Sequence, residues 1–175
     1  MAAHDSVFCV DISASPYGPI AVEMDGVPLV WGSNNVGQLG KDASTIFFPK
    51  PVYGPQSKRI VRSAAGGSHT LFLDSNGQVY SQGSNLFGQL GYETSDTVTG
   101  QEMHAVDGMG VVLDISAGMS HSAAINKNRQ LFLWDGNVTV LIAEAQLKVG
   151  TGITLQSQVS KIPSSKCKGQ GLVPK

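Results

Sequence analysis

Val30-Trp31-Gly32-Ser33-Asn34-Asn35-Val36-Gly37-Gln38-Leu39-Gly40 returns 51 positions later, without a gap, as Ser81-Gln82-Gly83-Ser84-Asn85-Leu86-Phe87-Gly88-Gln89-Leu90-Gly91. A period of this size marks one supersecondary unit copied in tandem, the arrangement of propellers and solenoids. Upstream, the second copy runs from Ile60 through Ala65-Gly66-Gly67-Ser68-His69-Thr70-Leu71-Phe72-Leu73-Asp74-Ser75-Asn76-Gly77 to Tyr80. A third copy begins at Val112-Leu113-Asp114-Ile115 and carries Ala117-Gly118-Met119-Ser120-His121, closing at Trp134. The first copy is worn: Tyr17-Gly18-Pro19 stands where the second has Ser68-His69-Thr70.

The local signals are those of β structure. Thr70–Leu73 and Gln78–Ser81 are short runs of strand formers separated by Asp74-Ser75-Asn76-Gly77. Asn-Gly between two such runs predicts a tight hairpin with positive φ at both central residues. Gly66-Gly67 and Gly118 precede the next strand, where close approach of neighbours excludes a side chain. Leu39 and Leu90 are expected to fill apolar space between repeats. His69 and His121, at equivalent places, are read as buried, hydrogen-bonded structural histidines.

Ala-Gly-Gly-Ser-His, Asn-Gly and Trp-Gly-Ser-Asn-x-x-Gly-Gln-Leu-Gly together resemble the regulator of chromosome condensation repeat, over about residues 10–134. The resemblance implies a β-propeller, seven-bladed in that family, with one repeat per blade. It also implies regulation through protein contacts, including guanine-nucleotide exchange on a Ran-like small GTPase, and it allows contact with chromatin. Other members regulate ubiquitin ligases, kinases or trafficking proteins. Trp134-Asp135 suggests a different propeller signature, but it aligns with Trp31-Gly32 and Gln82-Gly83 and belongs to the same repeat.

The expected fold is therefore all-β, a partial propeller of about three four-stranded blades with an irregular C-terminal tail. Residues 1–137 hold the repeats, with cores near 10–40, 60–91 and 112–134; residues 138–175 form a divergent, flexible tail. Propellers close with 4–8 blades, so three leave strand edges and apolar faces bare. Three readings follow: a fragment or truncated product of a longer propeller without independent activity, a ring completed by self-association or another chain, or a short arc capped by its tail.

Charge divides at the same boundary. Residues 1–137 carry 7 Lys/Arg against 12 Asp/Glu, whereas residues 138–175 carry five Lys against Glu144 alone. Nucleic acid or chromatin contact is thus expected only through the basic tail. The start lacks the basic, apolar pattern of a secretory signal, no run approaches a membrane span, and Cys9 and Cys167 sit at opposite ends. Cytoplasm or nucleus is the expected location.

Enzyme chemistry is not expected. Gly40-Lys41 resembles a phosphate loop, but Asn35 occupies the first glycine position and Asp42 the magnesium-binding hydroxyl position. No His/Cys cluster has metal-ligand spacing and no nucleophile elbow is present, so no cofactor, metal or catalytic residue is assigned. The expected function is a non-catalytic protein-interaction module. Its contact loops are expected at Asp42–Lys58 and Glu93–Gly110, which interrupt the repeat. Phe47, Phe48, Tyr53, Met103 and His104 are their bulkiest members: partner anchors, or side chains tucked between blades.

Overall fold

The computed structural model describes residues 8–40, 45–52, 58–92, 100–135, 138–142 and 159–163, and its regular structure is entirely β. Strands β1 (Cys9–Ser15), β2 (Gly18–Glu23), β3 (Pro28–Ser33) and β4 (Thr45–Pro51) form one antiparallel sheet in sequence order. β5 (Ile60–Ala65), β6 (His69–Asp74), β7 (Val79–Gly83) and β8 (Gly100–Val106) form the second. β9 (Val112–Ala117), β10 (Ser122–Asn126), β11 (Leu131–Asp135), β12 (Val138–Ile142) and β13 (Val159–Pro163) form the third, which has a fifth strand at its outer edge. β12 and β13 come from the stretch read from sequence as tail. The segments Asp42–Lys58 and Glu93–Gly110, read as loops, contain the outer strands β4 and β8. Their pairing with β3 and β7 runs through the backbone, so it leaves little mark on residue type.

The sheets stand side by side like blades, their first strands adjacent: β1 lies against β5, and β5 against β9. Asp11 on β1 ties the first pair, its Oδ2 accepting from the Ser63 N–H at 2.7 Å and the Ser63 hydroxyl at 2.9 Å. Ile20, Val22, Val30, Leu39 and Ile46 of the first blade meet Ile60, Phe72, Tyr80 and Met103 of the second. On the other side of the second blade, Leu71, Leu73 and Val79 meet Val112, Ala124, Phe132 and Trp134. Every residue of β6 is buried. A strand covered on both faces loses polar alternation, which explains the unbroken Leu71-Phe72-Leu73 run. Each of these side chains contributes about 1.5–3 kcal/mol by leaving water.

The hairpin at Asp74–Gln78 forms, but with a different turn from the one its sequence suggests. Asp74 N–H donates to the Gln78 carbonyl at 2.9 Å and Gly77 N–H to the Asp74 carbonyl at 3.0 Å, and of the central residues Gly77 alone has positive φ, +84°. This is a type I turn followed by a left-handed glycine. The Asp74 carboxylate caps it, accepting from the Asn76 and Gln78 N–H groups, both at 2.9 Å. Gly77 is required twice over. Its carbonyl accepts from Val112 N–H of the next blade at 2.9 Å, and a Cβ there would lie 3.0 Å from that residue's N and O. Gly26 repeats the arrangement with Ile60 N–H.

In the third blade Arg129 takes this place at φ +62°, the only non-glycine with positive φ among the described residues. The left-handed region costs an L-residue roughly 1–2 kcal/mol, part of which glycine returns as backbone entropy. Arg129→Gly is therefore expected to stabilise the chain by about 0.5–1 kcal/mol, read as a rise in the urea midpoint. An unchanged midpoint would show that the exposed Arg129 side chain offsets the strain.

Candidate functional site

Because the strands alternate in direction, one rim of the arc collects the β1–β2, β5–β6 and β9–β10 turns together with the loops that follow β3 and β7. Between them lies an open hollow of about 350 Å³, bordered by Tyr17, Val36, Gln38, Ser68, Met119 and Ser120. All three blades contribute to its wall.

The Asn-x-x-Gly-Gln-Leu-Gly loops on this rim are closed by their own side chains. Asn34 Oδ1 accepts from Leu39 N–H at 2.8 Å, and its Nδ2 donates to the Gly40 carbonyl at 2.9 Å. Asn85 repeats this with Leu90 N–H and the Tyr92 carbonyl, both at 3.0 Å. Gln38 and Gln89 fold back in the same way to accept from Val36 and Phe87 N–H at 3.1 and 2.8 Å. The repeat residues thus build a fixed frame, and the two residues after the Asn are held on its outside.

The same loops fasten each blade to the next. The Gln38 carbonyl accepts from the Thr70 hydroxyl at 2.8 Å and Gln82 Nε2 at 3.1 Å. One repeat on, the Gln89 carbonyl accepts from the Ser122 hydroxyl and Trp134 Nε1, both at 2.8 Å. Trp134 therefore occupies the position of Gln82, as the repeat alignment requires. The Ser122 hydroxyl spends its one proton on Gln89, so it accepts from Nε2 of His69, 2.8 Å away. Ser122→Ala leaves that buried donor unpaired and should cost about 1–3 kcal/mol. Ser122→Thr, which restores the group that Thr70 supplies one repeat earlier, should return most of it in the same urea titration.

The two histidines part company here. His69 is fully buried, and its bare Nδ1 has no hydrogen-bond partner. Burial, with the His121 charge adding to it, pushes its pKa down from 6.5 to about 4. His121, expected to be buried in the same manner, is exposed. Its counterpart is covered by the blade that follows, and among the described residues no blade follows the third.

Charge is distributed unevenly between the two rims. Among residues 15–18, 33–40, 66–68, 84–92 and 118–121 there is no Asp, Glu, Lys or Arg. The opposite rim carries Glu23, Asp25, Lys58, Arg59, Asp107, Lys127 and Arg129. On the first of these rims Leu86, Phe87 and Met119 are 63 %, 55 % and 61 % exposed, with Tyr17 at 44 %, and Asp135 is exposed at the end of β11.

The anchors suggested by sequence lie elsewhere. Phe47 and Phe48 are each 80 % exposed, but on strand β4 rather than in a loop. Met103 is buried in the core between the first two blades, which removes it from any contact surface. His104 is exposed on β8, its ring edge-on to Tyr92 with centroids 5.4 Å apart. Tyr53 lies outside the described residues. Leu86 and Phe87 do not stand out in the sequence, because they sit inside the repeat signature. The signal was the contrast with Asn35-Val36: two residues that differ inside a frame that does not.

The profile of the regulator of chromosome condensation (RCC1) repeat matches residues 25–73, and a second profile of that repeat matches residues 60–89. The chain is 38 % identical over 147 residues to the regulator of chromosome condensation of Mus musculus, covering 79 % of this chain and 34 % of that protein. It is 32 % identical over 136 residues to the X-linked retinitis pigmentosa GTPase regulator of Canis lupus familiaris, covering 71 % of this chain and 14 % of that one. The crystal structure of Prp20p from Saccharomyces cerevisiae, described with its binding to Gsp1p and histones, superposes with a TM-score of 0.65 at 22 % identity. That match covers 72 % of this chain and 33 % of Prp20p. The chain thus spans about a third or less of the length of these proteins.

Proposed function

Because the chain belongs to the regulator of chromosome condensation repeat family, we propose that it is a non-catalytic, regulatory protein-interaction module whose rim of repeat loops receives a protein partner. One observation carries this reading: the repeat residues fix the rim loops, and in the second blade the residues they hold outward, Leu86 and Phe87, are exposed and apolar. Recognition on loops fixed to a rigid scaffold is the usual division of labour.

A second reading is guanine-nucleotide exchange on a Ran-like GTPase, favoured by the names of the relatives and by the Gsp1p binding ascribed to Prp20p. Exchange requires no covalent chemistry. It requires contacts that favour the nucleotide-free state over the nucleotide-bound one, and this chain would supply the part of such a surface that three blades can carry. The remaining reading, a truncated product without activity of its own, is motivated by the bare faces at the ends of the arc. Ile12 and Leu113 are 71 % and 56 % exposed there. The location consistent with these partners is nucleus or cytoplasm; no helix among the described residues is long and apolar enough to cross a membrane.

Release of fluorescent GDP from a Ran-like GTPase separates the three. Release accelerated tenfold or more supports exchange, and stable capture of the GTPase without release supports the module. No interaction, together with heterogeneous mass in light scattering, supports the inert product.

A further inference from the structure

The hollow between the repeat loops is walled by hydrogen-bond donors that the described residues leave unused. Gln38 borders it, is only 4 % exposed, and gives its Oε1 to the Val36 N–H at 3.1 Å. An N–H must meet an oxygen, so the orientation of the amide is forced and Nε2 is left over. Among the described residues Nε2 of Gln38 has no hydrogen-bond partner. The second repeat shows what would have paired it. There Gln89 makes the same bond to Phe87 N–H, and its Nε2 donates to the Ser68 hydroxyl at 3.1 Å. One repeat earlier Tyr17 stands in the place of Ser68, with no hydroxyl next to its backbone. Buried polar groups are normally paired, and Gln38 keeps a donor that its counterpart spends.

The Ser68 hydroxyl adds a second donor to the same wall. Its oxygen accepts from Gln89, and its proton has no acceptor among the described residues. We propose that Gln38 Nε2 and the Ser68 hydroxyl form a carbonyl-binding site, and that the hollow takes a protein segment with one amide carbonyl oxygen directed at this pair. The inference rests on the interaction-module reading above and names the chemistry by which the partner is held. Both side chains have their acceptor oxygens engaged, so what they offer the hollow is donors. These donors are neutral. A carboxylate or phosphate would surrender hydration that neutral groups repay only in part, whereas an amide carbonyl exchanges one hydrogen bond for another. Tyr17 and Met119, both exposed at the border, provide apolar flanks for the aliphatic parts of the same segment. The bond to Val36 holds the Gln38 amide in place before binding, which limits the entropy lost on association.

The test begins with a displayed library of random twelve-residue peptides selected against the whole chain, and the enriched peptide is titrated in synthetic form. Its addition to the nitrogen-15-labelled chain is expected to move the Gln38 side-chain amide protons downfield, the sign of a new acceptor. Gln38→Glu identifies those signals by their loss. It keeps an oxygen for Val36 N–H and puts an acceptor where the donor was. Binding is expected to weaken about tenfold, the worth of one well-placed neutral hydrogen bond. Met119→Trp, at an exposed border position, is expected to weaken binding comparably by narrowing the mouth, and it serves if Gln38→Glu folds poorly. Gln38 signals that stay still while the peptide binds, with Kd changed less than twofold in both variants, would overturn the site and leave the module reading intact. Enriched peptides that are acidic and lose about tenfold in affinity between 50 and 500 mM NaCl would replace the carbonyl by an anion and so refute the assignment. With no peptide enriched the assignment also falls, while capture of a GTPase in the release assay would still support the module.

Discussion

Leu73→Ala is expected to lower the unfolding free energy by about 2–5 kcal/mol, the usual cost of emptying a buried leucine site. Ile125→Ala, at the equivalent place one repeat later, is expected to cost less than about 1 kcal/mol, as for most exposed positions. The three copies of this position are all aliphatic, and they differ chiefly in what packs on them. Val22 is fully buried under the second blade and Leu73 is 3 % exposed under the third, whereas Ile125 is 43 % exposed. Paired urea titrations of the two variants measure the difference directly, with m-values confirming that each unfolds from the same state. Equal losses would mean that the outer face of the third blade is covered in solution. Light scattering would then show whether a second copy covers it.

Acid is expected to loosen the joint between the second and third blades. The depressed pKa of His69 means that the folded chain resists a proton that the unfolded chain accepts. Its contribution is thus fully present above pH 6.5 and falls as pH drops from there to about 4, below which it is constant. A depression of that size corresponds to about 3 kcal/mol, at roughly 1.4 kcal/mol per pH unit. The cause is structural: Nε2 already donates to Ser122, so the added proton must go to Nδ1, which is buried with no acceptor. Stability measured at intervals between pH 7 and 4 should show this slope. It should be absent in His69→Gln and retained in His121→Gln. A slope that survives in His69→Gln would assign the acid sensitivity to the carboxylates instead.

Much of the architecture is legible in the chain itself. The 51-residue recurrence marks the blades, Asn76-Gly77 marks a hairpin, and the Asn of the signature marks a loop that can bond its own backbone. Each of these interactions spans only a few residues, so the residue types at fixed offsets suffice to announce it. The turn type at Asp74–Gln78 was not legible, because Asn-Gly suits both a two-residue turn and a type I turn with a left-handed glycine. The choice falls to the Asp74 caps and to Val112 N–H arriving from the next blade. Strands β4 and β8 look like loops in the sequence because backbone pairing to β3 and β7 asks little of their side chains.

The candidate site was less legible than the fold. Phe47, Phe48, Tyr53, Met103 and His104 stood out by bulk, yet bulk does not say which side of a strand a residue faces, and Met103 faces inward. The rim emerges only when alternate connections from three blades are gathered at one end, which places Tyr17, Leu86, Phe87 and Met119 on the same edge of the arc. By itself the sequence determined that this protein is a tandem array of β blades of the regulator of chromosome condensation type, since local turn and loop chemistry is written in short spacings. Only the tertiary structure decided which of two equivalent histidines is buried and which loops share a surface, because both depend on the blade that packs alongside.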